Sequence, residues 1–224
     1  MNKLLLSLGL CMSIASAAMG QDIRFGMKAG VGLSKVRGTD REDGYKRLFG
    51  VNAGLMADFS FSDRLSFHPE LLYSQKGTKV DYISSYTNSA GTLTVSNVGK
   101  GRLHYLDLPL LLRLKAHGFF LEAGPQLGYL LAQKSEFTMM GTTTYVGNTI
   151  PITTTRTDTD DSTNGIRRFD VGYLIGIGYQ LPQGLEVGLR FNNGFSNSTF
   201  DRSSSNKVHN SVFQFQVGYL FGGK

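Results

Sequence analysis

Residues 168–196, RFDVGYLIGIGYQLPQGLEVGLRFNNGFS, alternate strictly between two kinds of side chain. Phe169, Val171, Tyr173, Ile175, Ile177, Tyr179 and Leu181 are large and apolar, while Asp170, Gly172, Gly176, Gly178 and Gln180 between them are small or polar. After Pro182-Gln183-Gly184 the pattern resumes, with Leu185, Val187, Leu189 and Phe191 set against Glu186, Gly188, Arg190 and Asn192. A period of two belongs to a strand with unlike faces, and the glycine-bearing break marks a hairpin. The polar face is made of glycines with single charges, not the Lys, Thr and Glu cover of a solvated sheet. Small, sparsely charged residues fit the crowded inside of a narrow closed barrel. The continuous apolar face then points outward, which is stable only against lipid.

The same alternation recurs along the chain. Strands are expected around residues 23–34, 49–59, 65–76, 105–114 and 119–129, then the hairpin above, then one ending at Phe213, Phe215, Val217, Tyr219 and Phe221. Their connections alternate in length: polar stretches at about 35–47, 78–101, 132–167 and 197–208, and short turns at Phe61-Ser62-Asp63, His117-Gly118 and Pro182-Gln183-Gly184. The expected fold class is all-β, an eight-stranded antiparallel up-and-down transmembrane β-barrel. It has short turns and both termini on the periplasmic side and long loops outside the cell.

Size and composition agree with that architecture. A chain of 224 residues suits one barrel domain, here 21–224. Beyond the N-terminus no apolar run approaches the ~20 residues of a spanning helix; the stretch 106–114 is broken by Asp107, Pro109 and Arg113. Residues 1–20 read as a signal peptide: Lys3, an apolar core from Leu4 to Ile14, then small residues, with cleavage after Ala17 or Gly20. The lone Cys11 falls within it, so the mature chain has no cysteine. Losing Lys3 takes the formal charge from +6 to +5. The basic residues are scattered singly without an aromatic platform, which argues against nucleic acid and for the anionic outer leaflet.

Turn geometry supplies a register. A two-residue turn at His117-Gly118 sets Arg113 across from Glu122, Leu111 from Gly124 and Asp107 from Gly128; centring the next hairpin on Gln183 sets Arg190 across from Gly176. Centring the first on Ser62 sets Glu70 across from Gly54. An eight-stranded barrel is filled by its own side chains. A plugged lumen is therefore expected, with Glu70, Asp107, Arg113, Glu122, Asp170, Glu186 and Arg190 in a buried polar network of structural salt bridges. Pro69, Pro109 and Pro125 lack a ladder donor, and bulges are expected at them.

The segments HPELLYSQKG at 68–77, HYLDLPLLLR at 104–113 and FFLEAGPQLGYLL at 119–131 resemble the outer-membrane β-barrel domain family common in Bacteroidetes, the porin family that includes PorT-like proteins. The resemblance covers nearly the whole mature chain. It implies an eight-stranded barrel in the outer membrane, folded by the barrel-assembly machinery, but no single function: PorT itself serves a protein secretion pathway, while most members are labelled porin family with no defined substrate. It supplies no catalytic residues and no cofactor.

The remaining candidates for chemistry are weak. His209 and Ser211 stand two apart, as in lipid-deacylating barrels, but no acidic residue on that face orients the histidine. Asp158, Asp160 and Asp161 lack the glycine and bidentate glutamate of a calcium loop, and His68, His104 and His117 lack ligand spacing. The sequence thus favours a non-enzymatic integral outer-membrane protein that contacts lipid and a partner outside the cell or in a secretion system. A narrow porin-like channel for small solutes ranks second and a lipid-modifying enzyme third.

Overall fold

The computed structural model describes residues 22–37, 45–147, 150–163, 167–195 and 209–222. Residues 1–20, expected as a signal peptide, and the stretch 197–208 lie outside them. Nine strands run through the described residues: β1 (Asp22–Arg37), β2 (Tyr45–Ser60), β3 (Leu65–Asn88), β4 (Gly91–Ala116), β5 (Phe119–Tyr145), β6 (Ile152–Asp160), β7 (Phe169–Gln180), β8 (Leu185–Gly194) and β9 (His209–Leu220). All pair antiparallel. Eight of them close a ring in the order β1, β2, β3, β4, β5, β7, β8, β9 and back to β1, while β6 is bonded to β5 alone.

Turn chemistry accounts for the register. His117 (φ 51°) and Gly118 (φ 85°) both adopt the left-handed region that a two-residue hairpin demands, and Arg113 pairs with Glu122 and Asp107 with Gly128. Gly184 (φ 96°) closes the turn between β7 and β8, placing Arg190 across from Gly176. The first hairpin departs from expectation. Glu70 faces Met56, and Gly54 faces Leu72. The cause is a longer turn: the amides of Phe61 and Ser62 both donate to the Leu65 carbonyl, and Ser62 Oγ accepts from the amides of Arg64 and Leu65. That moves the centre of the hairpin by one residue, from Ser62 to Asp63.

The two faces separate as the alternation requires. Phe25, Met27, Phe49, Leu55, Leu112, Leu114, Leu121, Ile175, Ile177, Leu189 and Phe215 are exposed around the outside, whereas Leu174 is only 1% exposed beside Ile175 at 49%. Aromatic pairs rim this belt at both ends. Phe119 and Tyr179 (4.9 Å) and Tyr219 and Phe221 (5.2 Å) flank the short turns. Tyr73 and His104 (5.9 Å), Tyr129 and Phe169 (5.1 Å) and Tyr173 and Phe195 (5.1 Å) mark the opposite rim. Amphipathic rings take up such positions at the two interfaces of a bilayer.

Beyond the second rim the strands do not stop. Residues 78–101, expected as a loop, are the tip of the β3–β4 hairpin, paired without interruption up to Asn88 and Gly91. Asn88 Oδ1 caps that turn by accepting from the amides of Ala90 and Gly91. Residues 132–167 likewise contain the upper half of β5 and the whole of β6. Thr and Ser there read as loop material, yet β-branched threonine packs well on a pleated surface. Together β3 to β6 form a four-stranded sheet standing above the barrel.

The expected bulges at the prolines are not there either. The pairing sums are the same on both sides of Pro69 and Leu110 in β3–β4, and of Pro109 and Gln126 in β4–β5, and Pro125 faces Tyr173 in an unbroken ladder. The β3–β4 ladder skips two pairs beside Pro69 and Pro109, and the β4–β5 ladder skips two beside Pro109 and Pro125; both resume in register, so each missing donor removes a bond without displacing a strand. The register shifts lie elsewhere, between Arg47 and Asn52 and between His104 and Tyr105.

Gly178 tests the packing of this interior, since a Cβ there would sit 2.2 Å from the Phe120 ring and 2.4 Å from the Val187 carbonyl. Gly178→Val is expected to destabilise the barrel by about 1–3 kcal/mol, as overpacking does. Gly141→Val, where a Cβ meets nothing within 4 Å, is expected to be silent. The urea midpoint of each variant in micelles, read from the heat-dependent gel shift of the folded barrel, checks the contrast.

Candidate functional site

The interior is where side chains from separate strands meet, and its centre is ionic. Lys28 on β1, Glu70 on β3, Arg113 on β4, Glu122 on β5, and Glu186 and Arg190 on β8 all take lumen-facing positions and are all buried. Arg190 grips Glu70 with two parallel bonds, Nη1 to Oε2 at 2.7 Å and Nη2 to Oε1 at 2.6 Å, and its Nε reaches Glu122 Oε1. Arg113 bonds Glu186 Oε2 at 2.7 Å and Glu122 Oε2 at 2.8 Å, and its guanidinium lies 3.9 Å from the centre of the Phe120 ring. Lys28 Nζ bridges Glu70 (2.7 Å) and Glu186 (3.2 Å). Three cations meet three carboxylates, so each buried charge has a partner and geometry to hold it.

A second group adjoins this one on the side of the short turns. Asp58 on β2 accepts from Ser66 Oγ at 2.7 Å, forms a close pair with Lys115 and lies 3.4 Å from Arg24 Nη2. His68 joins the two groups: Nδ1 lies 3.2 Å from Asp58 Oδ1, and Nε2 lies 3.1 Å from both Glu70 Oε1 and Arg113 Nη2. Toward the other rim stand separate polar layers. Lys76 Nζ bonds Asp107 at 2.9 Å and lies 4.5 Å over the Tyr105 ring, Gln216 bonds Asn52 at 2.9 Å, and Asn192 bonds Gln126. Leu72, Leu130, Leu174 and Val212 fill space among these layers.

Of the seven interior residues expected from sequence, Glu70, Arg113, Glu122, Glu186 and Arg190 meet in one cluster. Asp107 belongs to the separate layer with Lys76, and Asp170 is half-buried in register with Gly128. Lys28, His68, Asp58 and Lys115 also join the two groups, although the expected network did not include them. Parity is the signal that finds them, because each stands an even number of residues from a lumen-facing neighbour on its own strand.

The other chemical candidates are dispersed. Ser211 is buried, at 7% exposure, and the side chain of His209 lies outside the described residues. Asp158 pairs with Arg156 at 2.9 Å, Asp160 accepts from the Ser162 amide, and His104 bonds Tyr73 Oη at 2.6 Å. Among the described residues no group of three acidic, histidine or cysteine side chains is placed to hold a metal ion. Every central carboxylate is engaged by a cation, and these pairs tie separate strands together.

Comparison with solved structures returns membrane barrels. Ail of Yersinia pestis is 13% identical, with 89% of this chain and 99% of that chain covered and a TM-score of 0.43. A major outer membrane protein of Thermus thermophilus is 15% identical, with 89% and 100% covered and a TM-score of 0.42. OprG of Pseudomonas aeruginosa is 12% identical, with 90% and 97% covered and a TM-score of 0.40. No match is found among curated proteins. The model of one family, described as outer membrane protein beta-barrel domain, matches residues 16–200. A lipid-facing apolar belt, a closed antiparallel ring and that match across most of the sequence make this chain a member of the outer membrane protein beta-barrel domain family.

Proposed function

We propose that this outer-membrane barrel is non-enzymatic, that its lumen is plugged, and that it acts through the sheet of β3 to β6, held outside the cell as a contact surface for a protein partner. The carrying observation is the division of the molecule into a sealed half and a presented half. Below the upper rim the charged centre consumes its own groups. Above it, β6 leaves one edge without a strand partner among the described residues, and all nine of its residues are exposed. An unpaired edge accepts an extended segment by strand addition. An accessory role in secretion, as in PorT-like barrels, is one form of this activity. The short turns and both termini lie in the periplasm on this reading, which the alternation of short turns and long hairpins supports.

Three outcomes are expected. In planar bilayers the purified protein gives no discrete conductance steps; regular steps under an applied potential would support the solute-channel reading instead. Arg190→Met strands Glu70 and Glu122 without their main cation and costs about 3–5 kcal/mol by urea unfolding in micelles. Adding Glu122→Gln restores the charge count and recovers part of that loss. In intact cells, Thr155→Cys on β6 is labelled by a membrane-impermeant maleimide, whereas Asp63→Cys in a short turn is labelled only after lysis; the reverse pattern would invert the orientation.

A further inference from the structure

Five cations gather on the outward face of β2 to β5 just above the upper aromatic rim. Lys46 faces Lys79, Lys79 faces Lys100, and Arg102 faces Lys134, each directly across a strand pair. Like charges in such positions repel and destabilise a sheet. Among the described residues, two carboxylates share this patch. Asp81 lies 2.6 Å from Lys46, and Glu136 lies 2.8 Å from Lys100 and 3.8 Å from Lys134. The hydrogen bond from Lys46 holds the Asp81 carboxyl below its ordinary range, and that from Lys100 does the same for Glu136, with Lys79 and Arg102 adding to the respective effects. Lys79 and Arg102 form no ion pair among the described residues. The patch therefore carries positive charge beyond what its own acids offset.

Its height decides what that charge meets. His104 stacks on Tyr73 at the rim, and Lys100 is four residues further along β4, about 13 Å of strand and about 10 Å of height once tilt is included. Arg102 and Lys134, only two residues beyond His104 and Ala132, stand about 5 Å above the rim, inside the headgroup layer that reaches about 5–7 Å beyond the ~30 Å hydrocarbon core, and Lys79 and Lys100 stand at its outer edge. Side chains there point away from the barrel, toward the surrounding leaflet.

We infer that Lys46, Lys79, Lys100, Arg102 and Lys134 form a binding site for the phosphate groups of a phosphorylated lipid headgroup in the leaflet beside the long strands. A phosphate seated between Lys79 and Lys100 neutralises the facing lysines and accepts hydrogen bonds from both; Arg102 and Lys134 take a second phosphate of the same headgroup. With the orientation proposed above, that lipid is a phosphorylated glycolipid of the outer leaflet. Lipid binding in detergent is read without regard to orientation, and cysteine labelling reads orientation without regard to binding, so the two readings fail separately.

The test uses the full chain in a zwitterionic detergent, titrated with a bisphosphorylated disaccharide lipid and followed by native mass spectrometry. The wild type is expected to retain the lipid. Lys79→Gln with Lys100→Gln weakens retention about tenfold, while Asp81→Asn with Glu136→Gln strengthens it several-fold, because each charge removed alters the attraction to an anionic headgroup. The heat-dependent gel shift verifies that both variants are folded. Equal retention of the dephosphorylated lipid overturns the site. So does an unchanged affinity in both double variants. Displacement by millimolar inorganic phosphate overturns its assignment to a lipid.

Discussion

The pairing of Arg113 and Arg190 with Glu70, Glu122 and Glu186 is the interaction on which the rest of this barrel depends. Ladder hydrogen bonds join each strand only to its neighbours, so they close the ring but leave its cross-section soft. The ionic centre spans that cross-section, tying β1, β3, β4, β5 and β8 to one another through charge-assisted bonds. Such groups survive away from bulk water only when every charge is matched, and three cations against three carboxylates satisfy that condition. The same matching explains the glycines that stand near it. A Cβ at Gly176 would come within 2.8 Å of Glu122 Oε1 and 3.0 Å of Arg190 Cγ, so the backbone must be bare where long charged side chains fill the lumen.

Outside, the constraint is reversed. Hydrocarbon demands that no polar group be presented between the two aromatic rims, and the exposed belt of Phe, Leu, Ile and Val meets that demand. These requirements act on alternate residues of the same strands, which is why period two with a glycine-rich second face is so restrictive a pattern. Above the upper rim both demands lapse. There the sheet carries Thr, Ser and charged residues on its outward face and is free to differ in length from strand to strand, with 27 residues in β5 but only 10 in β8.

The sequence is most legible where these opposed solvents act. Ring, facing direction and the pairing of Arg113 with Glu122 all follow from alternation and from the two-residue His117-Gly118 turn, as do the eight strands that close the ring. Legibility ends where one solvent bathes both faces. The hairpins at 78–101 and 132–167 have no apolar stripe facing lipid, so their strand character rests on the intrinsic preference of threonine and on pairing with neighbours that composition does not reveal. The slip at Ser62 has a local cause, a side-chain hydroxyl that lengthens the turn by capturing two amides. Lys28 and His68 escape a search guided by opposite charge alone, although burial recruits any side chain of the right parity. The prolines show how much a closed ladder tolerates: a lost bond is cheaper than a displaced strand.

Leu174 and Ile175 are adjacent in β7 and face opposite media, which makes them the most direct probe of the whole arrangement. With methyl-labelled protein in lipid nanodiscs, nuclear Overhauser transfer from acyl-chain protons should reach the Ile175 methyl groups and be absent at Leu174. Transfer to Leu174, or its absence at Ile175 with water contact in its place, would contradict the enclosure of the ionic centre and the lipid-facing belt together.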